Sequence, residues 1–361
     1  MINQIELSKL YTPYAEEYEK AFSDFIKKGC FIYGECVDEF EQKMAEYLGA
    51  KYVVGCGNGT DALELALRVN GVGVGDEVIT TANTYYATAR AIYNTGAKVV
   101  FCDVDDNALI DIYAIEELIN KKTKAIIPVH LYGLDVNMDE LNCIAKKHNL
   151  VVVEDCSHAF GTKSNGKYIG SKSMCACFSL YPTKNLGAFG DAGFIATGSK
   201  ELAVEIHNRR YYTANSDRTE FYENSMHSRL DSLQAALLLV SMKHVDKWND
   251  QRKKNKEYFI SKFENKVPYI KKMEEEGVVP YVFPIICEDQ MDFYDYLKQN
   301  GINPQIHYKP ELNKIDYFDG QNTRLKKTEL FNNSVVSIPI SQTVERKEIE
   351  YIANVVCKYF E

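Results

Sequence analysis

Short apolar segments alternate with amphipathic segments through the first half of the chain, and this alternation restricts the fold more than any other feature. The segments "KYVVGC", "DEVITTA", "AKVVFCDV", "KAIIPVHLY" and "NLVVVEDC" are typical of buried strands. Between them lie segments with helical spacing, such as "TDALELALRV" and "NMDELNCIAKKH". Because such strands need right-handed crossovers, the pattern predicts an α/β fold with a large, mainly parallel sheet flanked by helices.

The pattern changes in the second half of the chain. Two more strands are predicted at "MCACFSLY" and "AGFIATG", and near Leu230 a long helix or a helix pair leaves the sheet. The strand "YVFPIIC" and the helices "MDFYDYLKQNG" and "VERKEIEYIANVVCKYF" then suit a small α/β domain. We therefore predict a large domain at residues 1–245 and a small C-terminal domain at residues 246–361.

Charge and cysteine distribution argue against several classes of protein. The 361 residues carry a net charge of −9 from scattered carboxylates, which does not favour nucleic-acid binding. The N-terminus has no basic leader, and no apolar stretch reaches membrane-spanning length, so we expect a cytoplasmic protein without membrane contact. Ten dispersed cysteines without a C-x-x-C pair indicate reduced core residues, so neither disulfides nor a metal site is expected.

The segment "GCGNGT", residues 55–60, lies between a predicted strand and a predicted helix. Backbone N–H groups at such a helix start can bind phosphate, with Gly59 and Thr60 as the candidate residues. A dinucleotide fingerprint would need a glycine where Thr60 stands, and no acid ends the next strand. A plain turn remains the alternative.

The segment "VVVEDCSHAFG" ends a strand with Glu154 and Asp155, at the sheet edge where ligands of open α/β folds bind. A capping carboxylate is the ordinary interpretation. The functional alternative is a carboxylate that pairs with a cationic ring nitrogen and keeps a heterocycle protonated. His158, three residues on, could touch the same ring or could be a packed core histidine.

Two further segments complete the set of candidates. "NTYYATA" begins a helix with tyrosines, of which Tyr85 could stack on a flat cofactor or pack in the core. "FSLYPTKNLGAFGDAGFIATGS" places Lys184 between a strand and a glycine-rich loop, with Ser179 at the strand end. A lone lysine is usually a solvated surface charge, so only its surroundings can indicate a function.

The order of these segments resembles a known family. "GNGTDALELAL", "TYYATA", "AIIPVHLYG", "VVEDCSHAFGT", "FSLYPTKNLGAFGDAG" and "SRLDSLQAALL" together are similar to the DegT/DnrJ/EryC1/StrS sugar aminotransferases, which have the aspartate aminotransferase fold type I. The likeness runs from about Phe31 to the C-terminal helix. It implies pyridoxal 5'-phosphate (PLP) as cofactor and a homodimer with shared active sites.

The resemblance also implies roles for individual residues. Lys184 matches the Schiff-base lysine and Asp155 the residue that faces the pyridine nitrogen. The other expected cofactor contacts are the phosphate cradle of Gly59, Thr60 and Ser179, the stacking ring of Tyr85, and His158 beside the ring hydroxyl.

Two parts of the predicted site depend on the family pattern alone. His227 stands where the family often has an asparagine that reaches the partner subunit's phosphate, and a histidine can still donate a hydrogen bond there. "IHYKPEL" supplies His307, Tyr308 and Lys309 where the resemblance implies substrate contact. A histidine and a lysine there suit a diphosphate, and a surface turn before Pro310 is the alternative.

The favoured function is transfer of an amino group from glutamate to a nucleotide-linked keto sugar, at C3 of a dTDP-3-keto-6-deoxyhexose. "GNGTDALELAL" and "TYYATA" resemble that branch more than the C4 branch. The alternatives are a C4 aminotransferase acting on a UDP- or GDP-4-keto sugar, and an enzyme acting on a smaller keto phosphate. A dehydratase is disfavoured by Lys184, and a regulator by the lack of a visible DNA-binding domain.

Overall fold

The computed structural model describes residues 1–171, 173–213, 219–318 and 324–361. Its α-helices are α1 Leu7–Tyr11, α2 Ala15–Lys28, α3 Glu35–Leu48, α4 Gly59–Val69, α5 Tyr86–Asn94, α6 Ile112–Leu118, α7 Met138–Lys147, α8 Lys200–Arg209, α9 Ser232–Ser241, α10 Val245–Phe263, α11 Gln290–Gln299, α12 Lys326–Ser334 and α13 Arg346–Tyr359. Its strands are β1 Tyr52–Cys56, β2 Glu77–Thr81, β3 Lys98–Cys102, β4 Thr123–Ile127, β5 Val151–Asp155, β6 Lys163–Ser164, β7 Lys167–Tyr168, β8 Cys175–Ser179, β9 Gly193–Thr197, β10 Phe283–Ile286 and β11 Val335–Ile338.

Seven strands form the large sheet in the order β1-β9-β8-β5-β4-β2-β3. Strands β2, β3, β4, β5 and β8 pair in parallel, whereas β9 runs antiparallel to both of its neighbours, β1 and β8. The prediction of an α/β fold with a mainly parallel sheet is confirmed. The direction of β9 was not predicted, because a buried strand has the same residue pattern in either direction.

The helix that precedes β1 shows why these segments fold as they do. Val37, Phe40 and Met44 of α3 are buried, and Gly49 ends the helix with a φ of 68°, a left-handed conformation that favours glycine. In the same way, Asn58 begins α4 by accepting a hydrogen bond from the Asp61 N–H at 2.9 Å.

A smaller layer follows α10. Strands β10 and β11 pair antiparallel, and α11 and α13 pack beside them. The predicted pair of helices after Leu230 corresponds to α9 and α10, so the boundary predicted after residue 245 coincides with the first residue of α10 and stays a prediction. Elements α1, α2, α8, α12 and β11 were not predicted.

All ten cysteines are free thiols, as expected, and six of them are buried. Cys102, Cys175 and Cys177 lie in strands of the large sheet. Within the described residues, no helix is long and apolar enough to cross a membrane.

Candidate active site

The carboxyl ends of β5 and β8 and the N-terminal ends of α4 and α5 surround a cavity of about 560 Å³. Nine of the eleven residues predicted for the site line this cavity: Gly59, Thr60, Tyr85, Asp155, His158, Ser179, Lys184, His307 and Tyr308. The other two lie elsewhere, since His227 is exposed beside a separate depression and Lys309 is exposed outside the cavity wall. Residues more than 200 positions apart in sequence are thus brought into one site.

The N-terminus of α4 forms a tight cradle at one end of the cavity. A Cβ atom added to Gly59 would lie 2.7 Å from the Cβ of Ser179, and one added to Gly193 would lie 2.6 Å from the backbone of Asn58. Only glycine therefore permits this approach. Because the first N–H groups of a helix have no acceptor within the helix, the cradle can bind an anion such as a phosphate.

Asp155 presents a fixed carboxylate at the end of β5. Its side chain is 4% exposed, and its Oδ2 accepts a hydrogen bond from the Thr88 hydroxyl at 2.8 Å while Oδ1 accepts one from the Ser157 N–H at 3.1 Å. Thr88 is held in turn by Thr84, whose hydroxyl is 3.1 Å away. Sequence analysis missed Thr88 although "TYYATA" contains it, because a threonine in a helix carries no distinct signal.

Glu154, the neighbour of Asp155, points to the opposite face of the strand. Its Oε2 lies 2.8 Å from Nε2 of the buried His130, whose Nδ1 accepts a hydrogen bond from the Val136 N–H at 3.1 Å. His130 therefore carries its proton on Nε2 and donates it to Glu154. The Cys156 thiol lies within 4.8 Å of both groups, but this hydrogen bond occupies the nitrogen that a metal would need.

Lys184 follows β8 in a closely packed turn. Its backbone N–H donates to the Tyr181 carbonyl at 2.8 Å, and a Cβ added to Gly187 would lie 2.4 Å from the Pro182 carbonyl oxygen. The glycine after Lys184 is thus needed to fold the loop back on itself. The ammonium group of Lys184 lies 4.7 Å from the ring centre of Tyr281, within the cavity.

His158 is held between two tyrosines. Its ring stacks on Tyr281 with a centroid distance of 4.2 Å, and its Nε2 lies 2.8 Å from the hydroxyl of Tyr308. Burial, with the charge of Lys184, holds the pKa of His158 well below its usual 6.5. When Tyr308 donates to Nε2, the neutral ring carries its proton on Nδ1, which is buried and has no partner among the described residues.

His307 is buried and is also held in its neutral form, and its contact with a diphosphate stays a prediction. Its Nδ1 lies 2.9 Å from the hydroxyl of Ser337, and its carbonyl accepts a hydrogen bond from Tyr132 at 2.7 Å. Burial, with the charge of Lys184, lowers the pKa of His307 to about 3. A neutral histidine can donate a hydrogen bond but cannot supply positive charge.

The two neutral histidines predict a loss of stability in acid. In the unfolded chain each titrates near about 6.5, whereas in the folded chain neither binds a proton at that pH. Below that pH the unfolded state binds more protons, so each histidine should lower the free energy of unfolding by about 1.4 kcal/mol per pH unit. This contribution is complete above about pH 6.5 and falls as the pH decreases toward the lowered pKa values.

Urea unfolding of wild-type protein and of His307→Asn between pH 7 and pH 5 measures this effect. For each pH unit of acidification, the free energy of unfolding of the variant should decrease by about 1.4 kcal/mol less than that of wild type. Equal slopes in wild type and His307→Asn would contradict the assignment of a neutral buried His307.

The arrangement fits the cofactor that the sequence implies. The anion cradle can hold the phosphate, Asp155 can face the pyridine nitrogen, and the free Nδ1 of His158 can contact the ring hydroxyl. Tyr85 lines the cavity and is 59% exposed, and its ring centre lies 5.5 Å from that of Tyr308. One face of the Tyr85 ring is therefore open toward the cavity. The residues present therefore suit PLP in size and in polar groups.

The chain is similar to known proteins over nearly its whole length. The model of the DegT/DnrJ/EryC1/StrS aminotransferase family matches residues 13–357. The dTDP-3-amino-3,6-dideoxy-alpha-D-galactopyranose transaminase of Aneurinibacillus thermoaerophilus is 38% identical over 362 residues, covering 99% of both chains. The UDP-2-acetamido-2-deoxy-3-oxo-D-glucuronate aminotransferase of Pseudomonas aeruginosa is 34% identical over 358 residues, covering 98% of both chains.

A solved structure has the same fold over nearly the whole chain. The crystal structure of S. venezuelae DesV in complex with a ketimine intermediate superposes with a TM-score of 0.94 at 32% sequence identity. The match covers 99% of this chain and 97% of that one.

Proposed function

The chain belongs to the DegT/DnrJ/EryC1/StrS aminotransferase family, and on that premise we propose that it transfers the amino group of glutamate to C3 of a dTDP-3-keto-6-deoxyhexose. The family is PLP-dependent, and the relatives from A. thermoaerophilus and P. aeruginosa are named as sugar aminotransferases. The nucleotide-linked keto sugar as substrate class follows from those relatives. Beyond this substrate class, we propose which carbon of the sugar is aminated, which nucleotide the sugar carries and which amino acid is the donor.

The observation that carries the proposal is the relative from A. thermoaerophilus, similar over 99% of both chains and named for a dTDP-linked 3-amino sugar. The relative from P. aeruginosa is named for a 3-oxo sugar on UDP. Both names refer to the third carbon, whereas the nucleotide differs between them. Position C3 therefore has broader support than dTDP.

The side chains around the cavity suit amino transfer. When bound, PLP supplies an aldehyde that takes up an amino group and a protonated ring that withdraws electrons. We assign Asp155 to the ring nitrogen, because its buried carboxylate is oriented by Thr88 and Ser157 and can hold a proton there. We assign Lys184 to proton transfer at the α-carbon of the donor, because its ammonium group reaches the cavity from a rigid turn.

The charges in the cavity wall favour a shared site. The wall contains the carboxylates of Asp61, Asp155 and Asp191 and a single cation, Lys184, among the described residues. Both of its histidines are held neutral, so no cationic side chain among the described residues of the same subunit is placed beside a phosphate in the α4 cradle. A second copy of the chain that adds polar or basic groups at this end would complete the site, and we propose a homodimer.

The exposed His227 is our candidate for that contribution. If it donates a hydrogen bond to the partner subunit's phosphate, His227→Ala should weaken cofactor retention about 10- to 100-fold, the effect of losing one hydrogen bond to a charged group. Equilibrium dialysis against PLP measures this loss, and His148→Ala provides the control. Unchanged retention, in a variant that unfolds at the wild-type temperature, would remove His227 from the site.

Product analysis tests the function itself. Purified protein with PLP and glutamate is given dTDP-3-keto-6-deoxyhexose, the corresponding 4-keto sugars on dTDP, UDP and GDP, and a keto sugar phosphate. We expect a C3 amine on the dTDP sugar, identified by mass and NMR. An amine at C4, or activity only on the sugar phosphate, would overturn the C3 proposal, while failure with every keto sugar would contradict sugar amino transfer.

A further inference from the structure

Arg252 of α10 is a buried guanidinium group with no acidic partner. Its side chain is 1% exposed, and no carboxylate of the described residues lies within the 4.0 Å that defines an ion pair. Its Nη1 donates to the carbonyl groups of Pro280 and Tyr281 at 3.1 and 2.9 Å. Burial lowers the pKa of Arg252 to about 10, so the group remains charged at neutral pH. An unpaired buried charge is costly and strongly favours a bound counter-charge.

Arg252 lines a second cavity, of about 270 Å³. Its Nε is enclosed without a partner and its Nη1 is already bonded, which leaves Nη2 as the nitrogen able to face this cavity. The other polar residues of the wall carry amides or hydroxyl groups, namely Asn3, Gln4, Asn303, Gln305, Thr183 and Tyr281, and no carboxylate of the described residues lines the cavity. Its volume lies just below the range of about 300 to 1,000 Å³ typical of drug-sized ligands, so it suits a small acid rather than a nucleotide sugar.

This Arg252 cavity adjoins the active site. Thr183 and Tyr281 line both cavities, and their hydroxyl groups lie 3.3 Å apart. Lys184 directly follows Thr183 and places its ammonium group 4.7 Å from the Tyr281 ring. A group held by Arg252 would therefore lie next to Thr183 and Tyr281, which also line the active-site cavity.

We propose that the Arg252 cavity binds a carboxylate group through Nη2 of Arg252. The carboxylate belongs either to the far end of an amino donor whose amine reaches Lys184, or to a free organic acid that occupies the cavity alone. The first source rests on the proposed function, because it makes the side chain of glutamate the ligand. In both cases the guanidinium group gains the counter-charge that the chain itself does not provide.

Calorimetric titration of the PLP-loaded protein with glutarate, a five-carbon dicarboxylate, tests the site without turnover. Wild type should bind glutarate, and Arg252→Gln should bind it about tenfold or more weakly, the effect of losing a charged hydrogen bond. Because Arg252→Gln changes a buried residue, Gln305→Glu provides a second variant at an exposed wall position, where the new carboxylate competes with the ligand. Gln299→Glu adds the same charge on α11, outside the cavity wall, and should bind like wild type.

Binding that is absent in wild type, or unchanged in both Arg252→Gln and Gln305→Glu, would overturn the site. The source is decided by single-turnover rates with glutamate and with its neutral analogue glutamine. A preference for glutamate that disappears in Gln305→Glu identifies the donor, while an unchanged preference identifies a free acid. If glutamate is no donor at all but glutarate still binds in an Arg252-dependent manner, the proposed donor fails and the carboxylate site stands.

Discussion

Lys184→Ala should bind PLP without holding it covalently and should show no measurable turnover. Loss of a positioned proton-transfer group alone costs about 10²- to 10⁴-fold, and loss of the covalent attachment adds to it. The wild-type protein should be yellow from the lysine-bound cofactor, and the variant should lack that absorbance band. Borohydride treatment of wild type followed by peptide mapping should place the label on Lys184.

The matched control for this experiment is Lys200→Ala, at an exposed lysine that begins α8. It should keep both the absorbance band and the rate. A label on any lysine other than Lys184, or turnover by Lys184→Ala at a rate near that of wild type, would show that the assignment of the cofactor lysine is wrong.

Asp155→Asn and Asp155→Ala should each lower kcat by about 10³-fold or more, because a fixed carboxylate facing the ring nitrogen is lost. The asparagine has nearly the same shape, so it isolates the effect of charge, whereas alanine also removes the acceptor of the Thr88 hydroxyl. Steady-state rates at saturating donor and acceptor measure the effect. Retained secondary structure and PLP binding would show that the loss is chemical.

Asp191→Asn is the control, since Asp191 is another carboxylate of the cavity wall and is exposed. It should change kcat by much less than either Asp155 variant. Wild-type rates in Asp155→Asn would mean that a different acid faces the ring.

The sequence allowed the strands of the large sheet to be predicted because their apolar runs are short and bounded by helices. The antiparallel direction of β9 could not be predicted, since its five residues are all buried and a buried strand has the same residue pattern in either direction. Helices α1 and α2 were missed because their partners, such as Trp248 for Tyr11 and Ser241 for Tyr18, lie far along the chain. The burial of these two helices depends on tertiary contacts, which a local sequence pattern does not indicate.

The candidate site likewise combines residues that have a local sequence signal with residues that have none. The positions of Asp155 and Lys184 in the cavity were predictable because Asp155 ends a strand-like run and Lys184 follows one, each within a segment that resembles the family. Tyr281 and Arg252 belong to segments more than 60 residues later in the chain and carry no local signal, although both approach Lys184 or its neighbour Thr183 in space. The neutral state of His307 depends on burial, and no sequence pattern indicates burial of a single histidine.

Because Glu154 and Asp155 point to opposite faces of β5, this strand limits which insertions and deletions the protein can tolerate. A one-residue insertion or deletion within β5 would exchange the two acids, turning Glu154 toward the cavity and Asp155 toward His130. The Asp155 main chain is held by the Pro128 carbonyl at 2.9 Å and the His130 N–H at 3.0 Å, which resists such a slip. Insertions and deletions should therefore be tolerated at the turn after α7 but not between Val151 and Asp155. We expect natural variation in chain length to occur before this strand and not within it.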